Sequence, residues 1–174
     1  MSRQGPRAVL VGSPGAGKST VGRLLAARWD VNFRDTDRDI EVAAGRSISD
    51  LFVQQGEAHF RSLERDAVTK GLAEHDGVLA LGGGAVLSDE VRSALVGHLV
   101  IHLDVGLAAA MQRLKMNRSR PLLVGNVRGR WQELADERRP LYLEVATITV
   151  TTDGLSPAQV VDTVVDAVLE EIEP

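Results

Sequence analysis

Cysteine is absent from all 174 residues. Disulfides, thiolate nucleophiles and zinc–thiolate sites are excluded before any motif is considered. Aromatic side chains make up only 3% of the chain. Just one of them, Trp131, falls in its most basic stretch, so the interleaved rings of a single-strand nucleic-acid binder are missing there. No apolar run approaches membrane-spanning length, and residues 1–7 lack the apolar centre of a signal peptide. The expectation is a soluble, cytoplasmic protein. Internal repeats and low-complexity linkers are also missing.

Hydrophobic residues form 44% of the sequence, enough for a packed core, and the length suits one domain rather than two. The net charge of −4 conceals a local reversal. Between residues 111 and 140 there are eight basic residues (113, 115, 118, 120, 128, 130, 138 and 139) against three acids, and no basic residue follows Arg139. A nucleic-acid patch is one reading; an arginine clamp on nucleotide and substrate is the simpler one.

The clearest motif is Gly12-Ser-Pro-Gly-Ala-Gly-Lys18-Ser19, a complete G-x-x-x-x-G-K-[ST] phosphate-binding loop. It follows the apolar run 8–11 and opens a helical stretch beginning at Thr20, the context the motif requires. The glycines let backbone N–H groups turn in around a polyphosphate, and the helix N-terminus adds its positive dipole end. Gly15, Ala16, Gly17, Lys18, Ser19 and Thr20 are the expected contacts to ATP. Lys18 would sit between the β- and γ-phosphates and Ser19 would ligate Mg²⁺. A glycine-rich turn with no ligand is the alternative.

Short apolar runs at 8–11, 31–34, 78–81, 99–103 and 148–150 alternate with stretches of helical spacing. Ser47 with Asp50, Ser88, and Ser156 before Pro157 read as helix starts. Strand–helix alternation predicts a three-layer α/β/α fold around a five-stranded parallel sheet, with sites at the carboxyl ends of strands. Residues 115–128 mix proline, glycine and arginines and read as an exposed loop, either merely mobile or a lid over about 115–127 that excludes water.

Asp35 and Asp37 end the second run. As i and i+2 of a strand they would share one face, one near the metal, the other accepting a hydroxyl proton. The alternative for Asp37 is that it merely caps the next helix. Gly82, Gly83 and Gly84 would let a ligand approach the backbone closely. Arg61 has Glu64 one turn on to orient it, although alone it reads as a solvated arginine, as does Arg138. Asp104 reads as either a second metal ligand or, preferably, a cap for the helix through 108–114. The four histidines form no ligand-like group.

Taken together, the loop, Asp35-Thr-Asp37, Phe60-Arg61-x-x-Glu64, Leu81-Gly-Gly-Gly84, Arg120-Pro-Leu-Leu123 and Arg138-x-Pro-x-Tyr142 resemble the shikimate kinase family over nearly the whole chain. The resemblance implies that Asp37 holds the shikimate hydroxyl that is phosphorylated. Arg61 and Arg138 would grip the carboxylate, and Gly83 chiefly would contact the ring. Phe52 and Phe60 would wall the pocket. Arg120 would reach the phosphates from the lid, Arg113 would lie against adenine, and Asp35 would support Mg²⁺ through water. The substrate-binding region would span about 36–64. Many relatives carry a basic residue in the loop over adenine, where this chain has Asp153, Leu155 and Ser156.

The expected partners are therefore shikimate and ATP, with no nucleic acid and no membrane, acting on a monomer. A gluconokinase-like kinase of the same architecture is the nearest rival. A non-enzymatic nucleotide-binding regulator using Asp104 and the basic segment is the alternative from another class.

Overall fold

The computed structural model describes residues 4–114 and 126–172. Their strands are β1 (Ala8–Val11), β2 (Phe33–Asp35), β3 (Val78–Ala80), β4 (Val100–Asp104) and β5 (Ile148–Thr151). All pairings are parallel, in the order β2-β3-β1-β4-β5. The helices are α1 (Lys18–Arg28), α2 (Thr36–Ala44), α3 (Ile48–Glu74), α4 (Asp89–Ala94), α5 (Leu107–Leu114), α6 (Val127–Val145) and α7 (Pro157–Ile172). A single 3₁₀ turn, Ala85–Leu87, follows β3. The expected α/β class and five-stranded parallel sheet are borne out.

The three layers follow from the two-residue period of a strand buried on both faces. Ala8 and Leu10 of β1 pack into one apolar cluster with Leu25 of α1, Ala110 of α5 and Val164 of α7. Val9 and Val11 point the other way, into a cluster with Val68 of α3, Val91 of α4 and Tyr142 of α6. A third, smaller cluster of Ile40, Leu51, Phe60 and Ala67 joins α2 to α3 away from the sheet.

Local chemistry sets the helix ends. Ser47 accepts from the Asp50 N–H at 3.1 Å and Ser88 from the Val91 N–H at 3.4 Å. At α7 the cap is reciprocal: Ser156 Oγ accepts from the Gln159 N–H, and Gln159 Oε1 accepts from the Ser156 N–H. Gly56, at φ 83° and ψ 168°, breaks α3 into two segments. Its positive φ is the conformation only glycine adopts without cost.

Several details differ from the sequence reading. The second strand starts at Phe33, because the Val31 N–H still bonds back to Ala26 O at the end of α1. Asn126 caps α6, its side chain accepting from the Gly129 N–H, so Val127 and Arg128, read as loop in the sequence, are helical. Asp104 does not cap α5: its carboxylate pairs with Arg139 at 2.9 Å, and Asp153 accepts from the Gly106 N–H instead. No helix among the described residues is long and apolar enough to cross a membrane.

His102 is the polar exception in the sheet. It is buried in β4, stacked on Tyr142 with ring centroids 5.1 Å apart, and its Nδ1 meets no hydrogen-bond partner among the described residues. Burial pushes its imidazole below the ordinary histidine range, against the pull of Asp104 and with help from Arg139 and Lys18. A group neutral in the fold but protonated when unfolded supports stability above its unfolded pKa, and that support is lost as pH falls. His102→Phe should therefore lose less thermal stability than the parent between about pH 7 and pH 5. Equal losses in melting temperature would show that the folded ring takes up the proton.

Candidate active site

β1 and β3 are neighbours, so the loops leaving their carboxyl ends emerge side by side. After β1 the phosphate loop turns through Gly15 and Gly17, at φ 87° and 92°. Gly17 is the N-cap of α1 and brings no side-chain cap, which leaves the helix N-terminus facing the cleft. Lys18 Nζ donates to Gly12 O at 2.6 Å and Ser13 O at 3.3 Å. The loop is held from behind by Trp131, whose indole N–H donates to Pro14 O at 2.8 Å.

Asp35 closes β2 and uses both carboxylate oxygens. One accepts from Ser19 Oγ at 3.1 Å, the other from the Asp37 N–H at 2.9 Å. The cap of α2 is thus Asp35, and Asp37 sits in the first helical turn. The two acids do not share a strand face as their spacing predicts; the strand ends at the first of them. They still line one cleft, because the helix begins immediately and turns Asp37 toward β3. Ser19 and Asp35 are hard oxygen donors beside a phosphate loop, a set that fits Mg²⁺ with its retained waters.

Gly82, Gly83 and Gly84 form the hub of the second half. A Cβ on Gly82 would lie 2.6 Å from Asp37 Oδ1 and 2.9 Å from Glu64 Oε2. One on Gly83 would lie 3.4 Å from Arg138 Nη1, and one on Gly84 would overlap the Arg61 guanidinium. Gly82 and Gly84 therefore leave space that Asp37, Glu64 and Arg61 occupy, and Arg138 lies in contact beside Gly83. Arg61 Nη1 donates to Glu64 at 2.8 Å and Nη2 to Glu57 at 3.4 Å. Its guanidinium lies 5.3 Å from the Phe60 ring centre, and Phe52 packs on Phe60 at 4.8 Å.

Arg138 is only 3% exposed despite its charge. Its Nε and that of Arg61 are buried without hydrogen-bond partners among the described residues. Burial raises the Glu64 carboxyl above the ordinary glutamate range, opposed by Arg61 and then Arg138.

One cleft of about 840 Å³ joins the two halves. Its nucleotide end is bounded by Arg113, which donates to Gly15 O at 2.9 Å and to Thr152 Oγ1 and O at 3.1 and 3.2 Å. Leu155 and Pro157 add an apolar wall there. Asp153 is turned to Gly106, so the loop that lacks a basic residue presents leucine and proline instead. The sequence signal for these two was only their place in 152–157. Of the expected site residues, Arg120 lies outside the described residues, as does the expected lid except for 126 and 127. The others converge: Gly15 to Thr20, Asp35, Asp37, Phe52, Phe60, Arg61, Glu64, Gly82 to Gly84, Arg113 and Arg138 all line this cleft. The basic segment is not a continuous patch among the described residues, since Arg130 and Arg139 pair with Glu133 and Asp104 away from it.

A cleft with a phosphate loop at one end, guanidinium groups at the other and a carboxylate between them has the chemistry to hold two ligands for group transfer. In class the protein is a P-loop phosphotransferase. The family model described as shikimate kinase matches residues 14–169, and the chain belongs to the shikimate kinase family. It is 57% identical over 154 residues to the shikimate kinase of Salinispora tropica, covering 88% of this chain and 92% of that one. The Streptomyces coelicolor shikimate kinase is 52% identical over 163 residues, covering 94% and 95%. The solved shikimate kinase from Acinetobacter baumannii in complex with shikimate superposes with a TM-score of 0.93 at 32% identity, over 99% of this chain and 97% of that one.

The packing of Arg61 on Gly84 yields a test. Gly84→Ala should displace the guanidinium and raise KM for a carboxylate-bearing acceptor by roughly tenfold, with the nucleotide KM within a factor of about two. Steady-state kinetics with each substrate varied in turn reads both values.

Proposed function

We propose that the cleft transfers the γ-phosphoryl group of ATP to the 3-hydroxyl of shikimate, giving shikimate 3-phosphate and ADP, a step of aromatic amino-acid biosynthesis. The observation that carries this reading is the meeting of Arg61, Arg138 and Asp37 on one glycine loop beside the phosphate loop. Two guanidiniums with unfilled buried donors suit a planar carboxylate. Asp37 stands where a ring hydroxyl, held by its carboxylate at the far end, would face the nucleotide.

Phosphoryl transfer asks for alignment and charge stabilisation more than covalent help. Lys18 moves from its loop carbonyls to the β- and γ-phosphates, whose charge it matches better than two peptide oxygens do. The N–H groups from Gly15 to Thr20 hold the phosphates at the α1 N-terminus. Ser19, with Asp35 through water, would hold Mg²⁺, which would supply charge neutralisation for the transfer. Asp37 orients the hydroxyl for in-line attack; as the new O–P bond forms and the bond to ADP breaks, the hydroxyl proton passes to Asp37. Arg113, Leu155 and Pro157 hold the base. Arg120 completes the phosphate clamp on the strength of the family resemblance. In the same reading one domain carries a lid over about 115–127 and a substrate region over about 36–64. It works in the cytoplasm as a monomer.

A coupled ADP-release assay with Mg²⁺-ATP tests the assignment against shikimate, quinate and gluconate. Turnover should be confined largely to shikimate; preference for gluconate would move the chain to a neighbouring kinase. Asp37→Asn should lower kcat by about a hundredfold or more while nucleotide binding holds. Arg138→Lys should mainly raise KM for the acid, by roughly tenfold, because a point charge replaces a fork of donors. An unchanged KM would place the carboxylate elsewhere.

A further inference from the structure

Tyr142 is the only tyrosine in the chain and is 1% exposed. Its ring lies in the apolar cluster of Val9, Leu79 and Val100 and stacks on His102. For filling that space phenylalanine would serve as well, without a polar group to satisfy. The hydroxyl is nonetheless committed: it donates to Gly83 O at 2.6 Å. The Ser13 side chain and the Arg138 guanidinium face the same oxygen. Ser13 belongs to the phosphate loop, and Arg138 stands one helical turn before Tyr142 on α6.

We infer that Tyr142 is a positioning residue for the acid subsite, its hydroxyl fixing the glycine loop against α6 so that Gly83 and Arg138 meet the substrate as one unit. Three successive glycines have the widest conformational freedom a backbone offers and need an external tie to hold one shape. The tie acts beyond the carbonyl it touches. In a planar trans peptide, fixing the Gly83 C=O also fixes the direction of the Gly84 N–H. Arg61 packs on Gly84 and Arg138 on Gly83, so both guanidiniums rest on the peptide that Tyr142 orients. The inference rests on the shikimate reading above and adds to it a residue that touches neither ligand.

The test is Tyr142→Phe, which keeps the ring and its stack. KM for shikimate should rise about tenfold, as for loss of one well-made buried hydrogen bond. kcat and the KM for ATP should stay within a factor of about two. An unchanged KM for shikimate overturns the role, and so does an equal rise in both KM values with a fall in melting temperature, the mark of packing alone. Since the chain has one tyrosine, 3-fluorotyrosine places a single fluorine at position 142 without altering any other residue. Its NMR resonance should shift saturably with shikimate, with half-saturation matching the kinetic value. A resonance unmoved at saturating shikimate overturns the role even if Tyr142→Phe fails to fold. A parent enzyme inactive toward shikimate overturns both this and the functional reading; an active parent with an indifferent Tyr142→Phe overturns only this.

Discussion

Three glycines with no side chains sit where three helices converge on the end of β3, and the site is arranged around that shared space. Asp37 comes from the first turn of α2, Arg61 and Glu64 from α3, and Arg138 from α6. Each rests directly on the backbone of Gly82, Gly83 or Gly84. A methyl group on Gly82 or Gly84 would displace one of the charges. The sheet order matters for the same reason: with β3 beside β1, this hub lies next to the phosphate loop, and a phosphoryl group has only a short path between ligands.

Such a concentration of charge is costly in a protein interior unless the groups compensate one another. Compensation here is partial. Glu64 offsets Arg61 directly and Arg138 more distantly, yet its own burial still favours the protonated form. Both arginines keep a buried Nε without a partner among the described residues. A fold selected for stability alone would close those valences or replace the set with apolar side chains. Two such unfilled donors suit an anionic ligand.

The two ends of the cleft are held by different means. The nucleotide end is braced by the central sheet and by contacts distant in sequence, such as Trp131 on Pro14 and Arg113 on Gly15 and Thr152. The acid end hangs on the small cluster of Ile40, Leu51, Phe60 and Ala67, with the break at Gly56 inside it. Fewer apolar contacts support this part, which is where a fold yields first when a ligand enters.

Several features were legible in the residues because their physics is local. The phosphate loop depends on positive-φ glycines within eight residues of one another. The Arg61–Glu64 pair is fixed by helix spacing, and the caps at Ser47, Ser88 and Ser156 by one turn of backbone. Asp35 and Asp37 were a partial success: both reach the cleft, but where strand gives way to helix was decided by Asp35 capping, which spacing alone does not reveal. By itself, then, the sequence determined the parallel α/β alternation, the nucleotide loop and, through ordered motifs, the family. Only the tertiary structure gives the physical reason why one charge faces the cleft and its neighbour does not. Arg138 and Arg139 are adjacent and chemically alike, yet a helix turns successive residues by about 100°. One is buried against Gly83 and the other meets Asp104 at the surface. The motif Arg138-x-Pro-x-Tyr142 names the residue, but the reason lies in which face of α6 packs on the sheet, a property of contacts between distant segments.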